Sequence, residues 1–133
     1  MPGYSGTPLP KKLGIKPGLC VSLTGAPTEV QEELSAALGA CRLASGKTPF
    51  DFAMMFTKSK AELTEKFKRI ARQLAPAGML WIGWPKKTSG IVTDLDENVV
   101  RQVGLAAGLV DVKVCAVTEV WSGLKFVRRM KDR

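Results

Sequence analysis

Histidine is absent from the 133-residue sequence. That removes His-based catalytic triads, His-mediated proton transfer and most zinc sites in one step. Cysteine is scarce. Cys20, Cys41 and Cys115 are odd in number, none belongs to a Cys-x-x-Cys pair, and each sits in an apolar, strand-like context, as buried small-hydrophobe thiols do. No apolar run approaches the roughly 20 residues of a membrane span. Pro2, Gly3, Lys11 and Lys12 stand where a secretory signal needs a continuous apolar region, so a cytoplasmic, membrane-free protein is expected. Acids are the other shortage: 12 Asp and Glu face 20 Lys and Arg, leaving a formal charge of +8. Such a balance favours an acidic partner (a phosphorylated small molecule, nucleic acid or an anionic surface), a plain solubilising surface being the other reading.

What is present describes an ordinary globular domain, 45% hydrophobic and 24% charged, without repeats or low-complexity linkers. Helical and strand-like segments alternate, which predicts a single three-layer α/β domain with a mostly parallel sheet and an antiparallel C-terminal hairpin strand. Residues 1–18 read as a Gly/Pro-rich leader packed on the domain, with Tyr4, Leu9, Leu13 and Ile15 too apolar for a simple tail and Leu9 and Leu13 docked in a short helical turn. The domain proper is residues 19–133, ending in a basic tail, 128–133.

Leu19–Thr24 is the first expected strand. Thr28 with Gln31 forms a capping box for a helix whose buried stripe is Val30, Leu34, Ala37 and Leu38, and Gly39 supplies a left-handed stop. Residues 41–44 are expected to be a very short strand, or an antiparallel one, or merely an extended edge, because only Ser45–Pro49 separate them from the stronger strand Phe50–Thr57. Ser59 and Glu62 box the next helix, with Leu63, Phe67, Ile70, Ala71 and Leu74 inward; Pro76 and Gly78 end it. Met79–Trp84 is apolar on both faces, as a central strand covered by helices should be, and Trp81 is core. Thr93 with Asp96, and Asp94 with Glu97, mark the start of a helix facing Leu95, Val99, Val103 and Ala107 inward and stopping at Gly108. Val110–Thr118 and Leu124–Met130 are the last strands, joined by Glu119–Gly123 as a hairpin.

In open α/β sheets, ligands sit beyond the carboxyl ends of the strands. If the strands before Pro27, Lys58, Pro85 and Glu119 are parallel, one rim collects Thr24, Gly25 and the Thr28 helix start, then Lys58, then Lys86, Lys87, Thr88 and Ser89, then Trp121 and Ser122. Helix N-termini and lysines attract anions, hydroxyls add hydrogen bonds, and a tryptophan face accepts a ring. The competing reading is that the lysines are solvated and Trp84 and Trp121 are core. Asp94 and Asp96 are expected to be caps, and Asp51 to meet a backbone amide or Lys47. Glu119 is the one rim acid without a structural task, so the pairing needed for acid–base work is missing. No catalytic residue, metal ligand or cofactor is assigned.

Leu13-Gly-Ile-Lys-Pro-Gly followed by Val-Ser-Leu-Thr-Gly resembles the opening of class I methyltransferases, and Leu74-Ala-Pro-Ala-Gly-Met-Leu-Trp-Ile their helix, Pro-Gly turn and fifth strand. Ala107-Gly-Leu with the closing hairpin resembles their last elements. The resemblance implies a Rossmann-like fold that binds S-adenosylmethionine. The chain departs from the pattern where that cofactor is held: Gly25 stands alone in the loop, Cys41–Ser45 has no acid for the ribose, and a helix, strand and helix before Phe50 are missing. Weak or no cofactor binding is therefore expected. Gly3-Tyr-Ser-Gly-Thr-Pro-Leu, Lys11-Lys-Leu-Gly-Ile-Lys-Pro-Gly, Trp84-Pro-Lys-Lys-Thr-Ser-Gly and Trp121-Ser-Gly-Leu-Lys-Phe-Val resemble a family of small bacterial proteins of unknown function, which implies a bacterial stand-alone domain and supplies no activity to carry over.

Three functions fit. The first is a non-catalytic module binding an anionic small molecule or acidic protein surface at the rim. The second is a small methyltransferase-like enzyme with an atypical cofactor loop. The third is a non-specific nucleic-acid binder using the basic face of the 58–72 helix and the 125–133 tail.

Overall fold

The computed structural model describes residues 6–133; the Gly3, Tyr4 and Ser5 portion of the leader reading lies outside them. In chain order the elements are α1 (Leu9–Leu13), β1 (Cys20–Thr24), α2 (Thr28–Leu38), β2 (Arg42–Leu43), β3 (Phe50–Phe56), α3 (Lys60–Arg72), β4 (Leu74–Pro85), α4 (Glu97–Ala106), β5 (Leu109–Ala116) and β6 (Trp121–Arg128). The sheet order is β2-β1-β3-β4-β6-β5. β1 to β4 are mutually parallel, and β6 runs antiparallel to both β4 and β5. The result is the expected α/β sheet with an antiparallel C-terminal strand.

Two apolar clusters cover its faces. α3 and α4 press Leu63, Phe67, Ile70 and Val100 onto Ala53, Met55, Leu80, Ile82, Leu124 and Phe126. On the other face Leu9 and Leu13 of α1, with Val30 and Leu34 of α2, cover Val21, Phe52, Met54 and Trp81. Trp81 is fully buried, and its indole N–H donates to the Leu13 carbonyl at 2.9 Å, so the one polar atom of the largest core residue fixes α1 in place. Asp51 accepts the Cys20 amide at 2.8 Å, tying the feet of β3 and β1 together.

Several local expectations are corrected. Thr28 is the first helical residue rather than a cap, because the Pro27 carbonyl already receives the Val30 and Gln31 amides; the Gln31 side chain turns back to the Ala26 carbonyl. Gly39 keeps right-handed angles (φ −62), since the chain continues turning through Ala40 and Cys41. β2 is two residues long and pairs parallel with the foot of β1, at Cys20 and Val21, not with β3. Being so short, it needs only residues 44–49 to return to the start of β3.

β4 begins at Leu74, ahead of the expected Met79, because residues 75–78 bulge opposite β3. α4 is capped by Asp96, which accepts the Val99 amide at 2.8 Å. Asp94 caps a different helix, accepting the Lys60 amide at the start of α3. Leu95 precedes α4, so it does not share the helix's period; the fully inward residues are Val100 and Gly104. β6 starts at Trp121, because Ser122 and Gly123 already pair with β4 and β5 and leave 117–120 as the turn.

Candidate functional site

The ends of β1, β3, β4 and β5 and the start of β6 share one rim. Gly25 leaves β1 at φ +67, and a Cβ there would lie 2.8 Å from the Phe56 carbonyl oxygen. Only glycine permits that backbone approach, so Gly25 closes the rim between β1 and β3. Phe56 lies edge-on to Trp121, with ring centroids 5.5 Å apart at 84°, over a place that Gly83 leaves open. Trp121 thus belongs to the α1–α2 side of the sheet. Its strand neighbour Ser122 pairs with Trp84, which packs on the α3–α4 side. Successive strand residues point to opposite faces, so these two predicted site residues are separated by the sheet.

The loop after β4 is tied down internally. The Lys86 amide donates to the Val120 carbonyl at 2.8 Å, and the Ser89 hydroxyl donates to the Lys86 carbonyl at 2.6 Å while accepting the Ile91 amide. The Thr93 hydroxyl donates to the Lys58 carbonyl at 2.6 Å, joining this loop to the one after β3. Between the loop and the start of α4 lies a cavity of about 340 Å³ lined by Trp84, Lys86, Lys87, Asp96, Glu97, Asn98 and Ser122. It brings Lys86, Lys87 and Ser122 together. Thr24, Gly25, Thr28, Lys58, Thr88, Ser89 and Trp121 do not line it. Trp84, Asp96, Glu97 and Asn98 are added; the signal for them was the helix start that follows the central strand.

The charges in this cavity are unequally engaged. Asp96 is committed to capping and Glu97 to Arg101. Neither Lys86 nor Lys87 takes part in the ion pairs among the described residues, so the cavity offers ammonium groups to an anion. The α2 side differs in sign. Glu119 shares a cavity of about 220 Å³ with Glu29, Glu33, Thr118 and Val120, so it is not the solitary rim acid the sequence suggested. On the same sheet face as Trp121, Lys113 stands directly opposite Lys125, and burial followed by the Lys113 charge pushes the Lys125 ammonium below its ordinary range. Beside them burial raises the Cys115 thiol, against the opposing pull of Lys12, Lys113 and Lys86.

No family model and no curated protein matches the chain. Solved structures do. A putative methyltransferase from Thermoplasma acidophilum superposes with a TM-score of 0.58 at 10% identity, over 96% of this chain and 76% of that one. Magnesium protoporphyrin IX methyltransferase from Synechocystis PCC 6803, with bound SAH, gives 0.59 at 13% identity over 90% and 78%. A SAM-dependent methyltransferase from Aquifex aeolicus gives 0.59 at 18% over 87% and 85%. The fold is that of the class I methyltransferases.

Within the methyltransferase fold, the residues that would hold S-adenosylmethionine fit it poorly here. β2 pairs only at Cys20 and Val21, so no second strand end stands beside Thr24 at the rim, and Leu43, its last residue, is 76% exposed. Residues 41–45 offer no carboxylate for a ribose. The single loop glycine is spent on the Phe56 carbonyl. Among the described residues no cluster of three or more His, Cys, Asp or Glu is placed to hold a metal, and no helix is long and apolar enough to cross a membrane.

Proposed function

We propose that the chain is a non-catalytic binding domain on the methyltransferase fold, taking an anionic group of a small molecule or a partner's carboxylate between Lys86, Lys87 and Ser122. The observation that carries this reading is the two-residue β2, which leaves the cofactor side of the rim unbuilt while the Trp84–Asn98 side keeps a formed cavity. Lys86 and Lys87 supply the charge, the Ser122 hydroxyl and Asn98 amide supply hydrogen bonds, and Trp84 supplies an apolar wall.

A methyltransferase activity is the second reading, and the fold comparison favours it: neighbours include an enzyme solved with SAH and again with SAM. Calorimetry separates the two. The binding reading expects pyrophosphate or a nucleoside monophosphate to bind, with the double variant Lys86→Ala/Lys87→Ala weakened more than either single one. A micromolar constant for S-adenosylmethionine, about −8 kcal/mol, would overturn it in favour of the enzyme.

A further inference from the structure

A groove that meets the rim cavity at Asn98 runs between α3 and α4. α3 contributes Lys60, Thr64 and Lys68, four residues apart, and α4 contributes Val99, Val103 and Ala106. Eight residues of helix rise about 12 Å, and the groove encloses about 400 Å³. Its floor is apolar, since Val99 and Val103 are half-buried against the core beneath. Two further cavities border it: Lys68 and Ala106 also line one of about 290 Å³ with Arg72 and Arg128, and Arg72 in turn lines one of about 340 Å³ with Lys47 and Arg69. Six cations and no carboxylate line this track. None of the six takes part in the ion pairs among the described residues.

We propose that this track docks an acidic amphipathic helix of a partner protein, its apolar stripe on Val99, Val103 and Ala106 and its carboxylates on Lys60, Lys68 and Arg72. Apolar anchors at i, i+3 or i+4 and i+7 span about 10 Å of helix, which matches the groove. Charge complementarity selects acidic over basic segments. A nucleic acid is the poorer occupant, because no aromatic side chain lines the track to stack a base, and phosphates gain nothing from an apolar floor. A bilayer needs protruding apolar residues, whereas these lie in a recess. A second copy could offer α2, with Glu29, Glu32 and Glu33, but the apolar stripe of α2, Val30 and Leu34, is buried in its own core.

The test uses the intact protein and three short labelled peptides followed by fluorescence anisotropy. One carries leucines at helical spacing among glutamates, one is its scramble, and one replaces glutamate with lysine. The acidic amphipathic peptide is expected to bind at least about tenfold tighter than the scramble, a difference of about 1.4 kcal/mol, and the lysine peptide not to bind. Lys60→Glu/Lys68→Glu, both at exposed positions, should lower that affinity by a similar factor without moving the thermal midpoint. Lys86→Ala/Lys87→Ala should leave it unchanged, because neither lysine lines the groove, although Asn98 borders both sites. Equal binding of the scramble would overturn the proposal. So would a single-stranded oligonucleotide that binds more tightly than the peptide, or a concentration-dependent dimer in sedimentation that Val103→Glu dissolves.

Discussion

Replacing Gly104 by alanine sets two effects of opposite sign against each other inside α4. Alanine in a helix interior is better than glycine by about 1 kcal/mol, and a Gly→Ala change also restricts the unfolded chain. Against that, a Cβ at Gly104 would lie 2.0 Å from one Phe126 ring carbon and 2.5 and 2.6 Å from two others. Carbon atoms rest at about 3.5–4.0 Å, so the ring must move by about 1.5 Å. Phe126 is fully buried and held edge-on against Phe67, with centroids 5.3 Å apart, and Phe67 is fully buried as well. Overpacking of this kind costs about 1–3 kcal/mol, and three ring carbons within 2.6 Å of the new methyl place this case at the upper end. The expected net loss is about 2 kcal/mol, or about 7 °C in melting temperature for a chain of this size. Urea and thermal denaturation measure it. The Phe126→Leu background supplies the control: with the ring gone, the same Gly104→Ala change should become neutral or stabilising, a coupling that a double-mutant cycle reads directly. A Gly104→Ala protein more stable than the parent would refute the claim that the close approach of α4 to β6 decides this position.

Three further outcomes are expected. Gly39→Ala should stabilise by about 0.4–1 kcal/mol, because Gly39 already has right-handed angles and its added methyl would meet only carbonyl oxygens at 3.4 and 3.6 Å; urea denaturation reads the sign. Asp94→Ala should destabilise by about 1 kcal/mol by stripping the 2.8 Å acceptor from the first amide of α3, and Asp94→Asn should largely restore the loss in the same assay. Lys125 has a folded pKa below its unfolded one, so the unfolded chain holds the extra proton between the two values and stability rises with pH across that window. In Lys125→Met that alkaline rise should flatten and stability near neutral pH should increase, which denaturation curves at stepped pH will show.

The apolar stripe of α3 was legible because Leu63, Phe67, Ile70 and Ala71 repeat at helical spacing, and all four are buried. β3 and β4 were legible as continuous apolar runs. β2 was legible only as a short element within 41–44; its parallel pairing with β1 was not, since a two-residue strand carries no periodicity. Asp94 and Asp96 were legible as caps; that Asp94 serves α3 and not α4 was not, because only the folded chain brings it to Lys60, 34 residues away in sequence. Gly104 has no side chain to mark it as inward-facing. At the rim, strand direction was readable but sidedness was not. Alternation sends Trp121 and Ser122 to opposite faces, and Glu29 and Glu33 join Glu119 only through the packing of α2.

The abbreviated β2 also makes this domain a natural acceptor for grafted sequence. Residues 45–49 are all exposed, and the loop is held chiefly by Gln73, whose side-chain amide donates to the Gly46 and Thr48 carbonyls at 2.8 Å. Lengthening such a loop carries a penalty that grows only with the logarithm of its length. Beyond Val21, the outer edge of β1 has no partner strand among the described residues, so its backbone groups could pair with an added strand. A helix–strand–helix cassette inserted between Ala44 and Pro49 would therefore extend the sheet at its open side without disturbing either core.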